Sequence, residues 1–159
     1  MTGSEHRLGD GYLEDFQVGQ QFGSGTYAVT AEAIMTFARM FDPQPFHLNA
    51  ETAKTTVFRG LAASGWHTAA MTMRLIVDSE FKPAGGILGV GVDELRWLKP
   101  VRPDDLLRVE SEVLETRPST SRPDRGVLKT RHTTYNQKGE AVQVMVSVLL
   151  VPRRPVGPA

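Results

Sequence analysis

The chain has 159 residues, a length that fits one domain whose core can form without disulfides. It contains no cysteine, which excludes disulfides, thiolate catalysis and zinc–thiolate sites. Lys and Arg total 18 and Asp and Glu total 18, and this zero net charge argues against nucleic acid or a membrane surface as the main partner.

Both ends of the sequence are predicted to be flexible tails around a single domain at residues 12–151. Residues 1–11 are polar and lack the apolar core of a signal peptide, and residues 152–159 contain three prolines and two arginines. No apolar run approaches the ~20 residues that a membrane-spanning helix needs. We therefore expect a cytoplasmic protein.

The first periodic pattern predicts a helix over Thr30–Phe41. Thr30 fits an N-cap, and Glu32 suits the positive end of the helix dipole. The apolar residues at helical spacing are Ile34, Phe37, Ala38 and Phe41. The following Asp–Pro pair ends this helix, and Asn49 fits the N-cap of a short helix over Glu51–Thr55.

A further helix is predicted over Trp66–Val77, after a run of small residues at 60–65. Its apolar positions cover a wide face, which predicts a largely buried helix. These positions are Trp66, Ala69, Ala70, Met73, Ile76 and Val77.

The second half of the chain predicts four strands joined by polar turns. The strands are Ile87–Leu98, Leu107–Val113, Val127–Tyr135 and Ala141–Val151. A long polar loop covers residues 116–126, and Asn136–Gly139 has the composition of a hairpin turn. Helices followed by an antiparallel meander indicate an α+β fold with one buried helix against a sheet.

Asp42 and His47 form the first candidate for chemistry. They lie on a short segment stiffened by Pro43 and Pro45, which restrict the backbone on both sides. An acid and an imidazole within reach of one water can supply general acid–base chemistry near neutral pH. The same residues also fit a simple turn in which Asp42 precedes a proline and His47 caps or packs.

The start of the long helix is the second candidate. The N–H of Gly65 has no partner within the helix, and the helix dipole favours negative charge there, as an oxyanion hole requires. In the alternative interpretation, Ser64 is only an N-cap and Gly65 a position of close packing.

Taken with these two features, several segments resemble the MaoC-like hot-dog family, the R-specific enoyl-CoA hydratases and their dehydratase relatives. The segments are 13–19, Phe37–Ala38, the Asp42…His47 signature, 58–65 and 96–105. The resemblance implies a hot-dog fold, in which a central helix at about Trp66–Phe81 is wrapped by an antiparallel sheet. It also implies a homodimer or higher homo-oligomer paired through sheet edges.

The resemblance implies roles for the candidate residues. Asp42 matches the catalytic aspartate and His47 the catalytic histidine, and the pair would hold one water. Asp42 would take a proton from that water, and His47 would orient it and help pass the proton to C2 of an enoyl thioester of CoA or a carrier protein. Gly65 aligns with the main-chain donor to the thioester carbonyl. The thioester is a substrate, and no cofactor is implied.

Ser64, Pro45 and Phe46 are further candidates for substrate contact. The chain departs from the common family pattern near them, with Gln44-Pro45 for Asn-Pro, Asn49 for Asp and Ser64-Gly65 for His-Gly. None of these departures removes a catalytic group, so they bear on substrate preference. Acyl-chain length depends on how Phe46, Met71 and Met73 pack.

The CoA phosphates require cations, and the candidates are Arg96, Lys99, Arg102, Arg108, Arg122 and Arg125. A solvated charged edge is the simpler interpretation of the first four. His67 is expected to be a satisfied core histidine and His132 a solvated or cross-strand residue. Trp66 and Trp97 are expected in the core or an interface. No pair of histidines has metal-ligand spacing, so no metal is expected.

Two other functions fit the same resemblance. A thioesterase could use the same fold, because fold alone does not decide chemistry. A non-catalytic partner subunit that binds acyl thioesters is the other. The acid and imidazole placed just before the central helix favour hydration over both.

Overall fold

The computed structural model describes residues 9–157. After a 3₁₀ turn at Leu13–Asp15, the elements in chain order are β1 Gln21–Gly23, β2 Tyr27–Ala28, α1 Ala31–Phe41, α2 Pro45–Leu48, α3 Ala50–Ala53, α4 Gly65–Asp78, β3 Leu88–Trp97, β4 Leu106–Pro118, β5 Arg125–Tyr135 and β6 Ala141–Pro152. The two longer predicted helices are confirmed as α1 and α4, within a residue or two at each end. The four predicted long strands are confirmed as β3 to β6.

The strands form one antiparallel sheet in the order β1-β4-β5-β6-β3, with β2 also paired to β4. Strand β3 therefore lies at an edge. Strands β4 and β5 are longer than predicted, and their ladder extends into the predicted loop at Thr116–Pro118. The sequence did not predict β1 and β2, because three and two residues are too few to show alternation.

Helix α1 follows its sequence signals closely. The Thr30 hydroxyl accepts from the Ala33 N–H at 3.1 Å, as an N-cap does. Ile34 and Ala38 are buried, whereas Phe41 at the end of the helix is exposed. The predicted cap at Asn49 is also confirmed, since its side chain accepts from two N–H groups of α3.

Helix α4 packs on the sheet with a different face from the predicted one. Its buried residues are His67, Thr68, Met71, Thr72, Leu75 and Ile76. Trp66 and Met73, predicted to be buried, are 60% and 37% exposed in the chain described. The polar residues can face inward because the sheet supplies partners, with Thr72 Oγ1 bonded to Thr134 Oγ1 at 2.6 Å and to Gln143 Nε2 at 3.1 Å.

Parts of both predicted tails contact the domain. Gly9 and Gly11 form bridges to the segment that follows α4, and Arg153 and Arg154 are bonded to acidic residues of the 3₁₀ turn. Residues 1–8 and 158–159 of the predicted tails lie outside the described residues. Within 9–157, no helix has the length and apolar character that a membrane crossing needs.

Candidate active site

Asp42 is placed by the end of α1. It is the C-cap residue, and its N–H donates to the Ala38 carbonyl at 2.9 Å, after which Pro43 cannot continue the helix. The Gln44 amide donates to Asp42 Oδ1 at 2.5 Å. That bond occupies one carboxylate oxygen and leaves Oδ2 directed toward His47.

His47 lies in the short helix α2, which the sequence did not predict, and is 4% exposed. Its Nδ1 lies 2.6 Å from the Ala62 carbonyl oxygen. A carbonyl only accepts, so Nδ1 carries the proton and Nε2 has a free lone pair in the neutral ring. Pro45 at the start of α2 fixes the backbone direction that brings the ring inward.

The two candidate catalytic groups face each other. His47 Nε2 lies 3.4 Å from Asp42 Oδ2. When the imidazole is neutral, both atoms are acceptors, so they cannot bond directly. A molecule with two O–H donors, such as water, could bond to both at once.

The surroundings of Asp42 favour its ionised form. Burial alone would raise the pKa of this carboxyl, but the Ser64 hydroxyl, the Gln44 amide and the nearby His47 outweigh burial and lower the pKa below its ordinary value. Asp42 is therefore a carboxylate near neutral pH and suits a proton acceptor.

Gly65 is the first residue of α4, and Ser64 is its N-cap. The Ser64 hydroxyl accepts from the Trp66 N–H at 3.3 Å, and the residue is fully buried. A Cβ on Gly65 would lie 2.5 Å from the Trp97 ring, so only glycine fits there. Within residues 9–157, the Gly65 N–H donates to no carbonyl outside its helix.

A cleft of about 240 Å³ brings these groups together. It is lined by His47, Phe58, Ala63, Gly65, Thr68, Trp97, Leu98, Lys99, Pro100 and Val101. Two of the main candidates, His47 and Gly65, therefore line the same cleft, whereas Asp42 does not line it and reaches it only through its contact with His47.

The three predicted substrate contacts lie outside the lining of this cleft. Ser64 is fully buried and acts on Asp42 and on the start of α4. Pro45 is exposed at the start of α2. The Phe46 ring packs edge-on against His47, with centroids 4.5 Å apart, and also against Phe58. All three therefore lie beside the site without lining the cleft.

Most of the predicted phosphate-binding cations already have partners. Arg96 pairs with Glu94, Arg108 with Glu110 and Arg125 with Asp124. The Arg102 guanidinium bonds to backbone carbonyls. Lys99 pairs with Glu140 but also lines the cleft, so it is the candidate cation nearest the site.

The other two histidines of the described residues have different outcomes. Of the two roles predicted for His132, the cross-strand role is confirmed, because this residue is 1% exposed and bonds across strands to Ser111 at 2.7 Å. His67 is buried against the Phe37 ring, but its Nδ1 has no partner in the described part of the chain, so it is not a satisfied core histidine. Within that part no group of three His, Cys, Asp or Glu residues could hold a metal ion.

Sequence reasoning missed three features of the site. The Ala62 carbonyl that orients His47 is a backbone group without a sequence signal. The sequence shows Gln44 only as a departure from the family pattern, yet its amide holds Asp42. The sequence predicts Trp97 in the core or an interface, but this residue lines the cleft and covers Gly65. Only Gln44, within the motif itself, could have been found from the sequence.

Similarity to known proteins identifies the family of this chain. The family model described as MaoC like domain matches residues 15–136. YdeM, an uncharacterized protein of Bacillus subtilis (strain 168), is 37% identical over 126 residues, covering 79% of this chain and 88% of YdeM.

Two solved structures are similar in both fold and sequence. A MaoC-like dehydratase from Rhodospirillum rubrum has a TM-score of 0.89 and 52% identity, covering 92% of this chain and all of that one. The R-hydratase PhaJ1 from Pseudomonas aeruginosa has a TM-score of 0.72 and 28% identity, covering 96% and 97% of the two chains.

The antiparallel sheet packed on a long helix is the hot-dog fold of these proteins. The chain belongs to the MaoC-like dehydratase family. Its class is therefore that of the MaoC-like dehydratases and hydratases.

Proposed function

We propose that the protein reversibly adds water to the 2,3 double bond of an enoyl thioester of CoA or a carrier protein. The observation that carries this proposal is the Asp42–His47 pair. Its two facing acceptor atoms are 3.4 Å apart, and the imidazole opens onto a cleft that begins at a helix N-terminus. Such a pair suits water activation and has no evident use in a purely structural turn.

The proposed reaction starts with water bonded to Asp42 Oδ2 and His47 Nε2. Asp42, held as a carboxylate, accepts one proton of the water while the water oxygen forms a bond to C3. The π electrons of the double bond move toward C2 and the thioester carbonyl. The proton then passes through His47 Nε2 to C2, so that one water has been added in total and both residues return to their starting forms.

Gly65 would stabilise the charge that develops on the thioester oxygen. Its N–H lies at the positive end of a helix of 14 residues, and the residue lines the cleft together with His47. A main-chain donor of this kind contributes roughly 3–4 kcal/mol in comparable sites. Lys99 on the cleft lining is the cation placed to meet a phosphate of CoA.

We also propose that two copies of the chain associate through β3. This strand is an edge, and it exposes Leu88, Val90, Val92 and Trp97. The exposed Trp66 and Met73 of α4 extend the apolar surface. An unpaired apolar edge of this length favours pairing with another strand, and an identical strand supplies the same apolar pattern.

Antiparallel pairing would join two clefts. A second cleft of about 410 Å³, largely apolar, lies between the C-terminal part of α4 and the start of β3. It is lined by Met73, Ile76, Ile87, Gly89, Val90, Gly91, Val92, His132, Met145, Ser147 and Leu149. When β3 pairs with its copy, the Trp97 end of one strand meets the Leu88 end of the other. The apolar cleft would then continue the partner's site and accept an acyl chain.

The experiment that tests the reaction follows the loss of enoyl absorbance with a panel of trans-2-enoyl-CoAs, short to long, branched and dicarboxylic. Asp42→Asn and His47→Gln are each expected to lower kcat by about 10²- to 10⁴-fold. Asp78→Asn is the matched control, because Asp78 is exposed at the opposite end of α4 and pairs with Arg74.

The same samples separate the alternatives. Release of free thiol from saturated acyl-CoAs, with no loss of enoyl absorbance, would identify a thioesterase. Binding of acyl-CoA without any turnover would identify a non-catalytic subunit. Full activity in both Asp42→Asn and His47→Gln would refute the proposed mechanism.

A further inference from the structure

Arg102, in the turn between β3 and β4, directs its guanidinium into the loop that precedes α4. Nη1 donates to the carbonyls of Gly60 at 3.0 Å and Leu61 at 3.3 Å, and Nη2 donates to the carbonyl of Phe58 at 2.5 Å. One planar side chain therefore bonds to three carbonyls within four residues. Lysine could not reproduce this arrangement, because its ammonium is a single point without a fixed fork of donors.

The loop that Arg102 holds is irregular and needs such support. It connects α3 to α4 without helix or strand, and Arg59 within it has a φ of 54°. A non-glycine residue with positive φ is unfavourable unless its surroundings hold it. The guanidinium is 3.4 Å from where a Cβ of Gly60 would lie, so the contact is close.

The same loop makes two contacts with His47. The Ala62 carbonyl accepts from His47 Nδ1 at 2.6 Å, and the Phe58 ring packs with its centroid 6.1 Å from the imidazole. The first contact places the proton on Nδ1 and leaves Nε2 facing Asp42. Arg102 bonds to Phe58 and to Leu61, the residue directly before Ala62.

We propose that Arg102 is a positioning residue that sets the tautomer and the orientation of His47 through the loop 58–62. The catalytic importance of this role rests on the proposed hydratase function, but the effect on the imidazole does not. Without the guanidinium, the carbonyls of the loop lose their donors, and the Ala62 carbonyl is held only by the two neighbouring backbone bonds, from the Ala62 N–H to Phe46 and from the Ala63 N–H to Val101. The Nδ1–H tautomer then loses its advantage over the Nε2–H tautomer.

The first experiment examines His47 directly in the unliganded protein. Long-range ¹H–¹⁵N NMR of the ¹⁵N-labelled protein shows which ring nitrogen carries the proton, and His47→Gln identifies the His47 signal among the four histidines. The neutral wild-type ring is expected as the Nδ1–H tautomer. Arg102→Met and Arg102→Lys should both shift it toward Nε2–H. Arg117→Met, which removes a side chain that is 55% exposed beside Glu115, should leave it unchanged.

The second experiment separates positioning from phosphate binding. Enoyl-CoA is compared with the N-acetylcysteamine thioester of the same acyl group, which has no phosphate. Both Arg102 variants are expected to lower kcat by about 10²-fold on both thioesters with little change in KM, as misplacement of a catalytic group does. If Arg102 instead bound a phosphate, Arg102→Met would raise KM for the CoA thioester alone, and Arg102→Lys would keep the KM of the wild type.

Each result bears on Arg102. An unchanged His47 tautomer in both variants, or a KM effect confined to CoA and restored by lysine, would overturn the proposal. If Arg102→Met does not fold, as judged by circular dichroism, Arg102→Lys decides, since its methylene groups keep the packing. If wild-type protein turns over no thioester, the hydratase proposal fails, while the NMR result still decides the role of Arg102.

Discussion

Asp42 and His47 are each held by a hydrogen bond on the side away from the other. The Gln44 amide binds Asp42 Oδ1, and the Ala62 carbonyl binds His47 Nδ1. The two remaining atoms therefore face each other, and this arrangement forms the pair that we propose to activate water. The sequence motif contains the acid, the imidazole and Gln44, but the carbonyl comes from a residue 15 positions later.

Removing the amide of Gln44 should shift the pH dependence of activity. The proposed reaction needs ionised Asp42, so the rate should fall as the pH falls through the pKa of Asp42, which lies below its ordinary value. Gln44→Leu removes one cause of that lowering and should move the acid limb of kcat/KM to higher pH. An acid limb that stays in place would show that Gln44 does not act on the carboxylate.

Buried His132 should make folding stability depend on pH. Burial lowers the pKa of this imidazole from 6.5 to about 4, so below pH 6.5 the unfolded chain binds a proton more readily than the folded one. The contribution of neutral His132 to the free energy of unfolding is complete above pH 6.5. It is lost as the pH falls toward 4, and the loss amounts to about 3 kcal/mol.

Denaturant unfolding of wild type and His132→Gln between pH 4 and 7 checks this prediction. His67, whose pKa burial also lowers, is present in both proteins and contributes equally to each curve. The difference between the two proteins should therefore shrink as the pH falls. Parallel curves would contradict the assignment to His132.

At the scale of elements, the start of α4 and the end of β3 form one unit. The Trp97 ring covers Gly65, and its Nε1 donates to Gln143 on β6 at 3.0 Å. The Gln143 side-chain amide donates to the Thr72 hydroxyl on α4, and that hydroxyl is bonded to the Thr134 hydroxyl on β5. This buried chain connects the helix, the sheet and the wall of the cleft.

Gly65→Ala should damage both packing and catalysis. The added methyl group would lie 2.5 Å from the Trp97 ring, and overpacking of this kind costs about 1–3 kcal/mol. Movement of either group changes the site, so kcat should fall as well. Thermal unfolding and kinetics measure both effects. Gly25→Ala is the control, because its methyl group would meet no atom within 4 Å, and an equal effect there would refute the steric explanation.

Gln143→Leu should destabilise the fold through the polar chain. Gln143 is fully buried, and leucine would remove the acceptor of the partly exposed Trp97 Nε1 and one of the two partners of the buried Thr72 hydroxyl. An unsatisfied buried group costs about 1–3 kcal/mol. Urea unfolding measures the loss, with Gln17→Leu at an exposed position as the control. A change below about 0.5 kcal/mol, typical of surface substitutions, would show that the chain contributes little.

At the scale of the whole molecule, part of the exposed apolar surface lies on the edge strand β3 and on α4. Leu88, Val90 and Val92 lie on the edge strand β3, and Trp66 and Met73 lie on α4. The sequence predicted α4 to be buried because its apolar positions cover a wide face. That prediction was wrong for part of the helix in the single chain, since Trp66 and Met73 are exposed whereas Thr68 and Thr72 are buried beside Ile76. Burial of this face in the proposed dimer would account for the pattern.

Val90→Lys should separate the proposed dimer. A charged side chain in the middle of an edge strand opposes strand pairing. By light scattering, wild type is expected at twice the mass of one chain and Val90→Lys at the mass of one. Val18→Lys, at an exposed valine outside β3, should remain a dimer. A dimeric Val90→Lys protein would exclude pairing through β3, and a monomeric wild type would exclude the dimer.

The sequence by itself determined the local features of this protein. Thr30 and Asn49 determined helix starts, Pro43 ended α1, and the local apolar patterns determined the four long strands, because each signal acts over a few neighbouring residues. The tertiary structure decided which helix face is buried, which atoms of Asp42 and His47 meet, and where Trp97 and Arg102 act. Those features depend on hydrogen bonds between groups far apart in the chain, and such partners exist only once the sheet has formed.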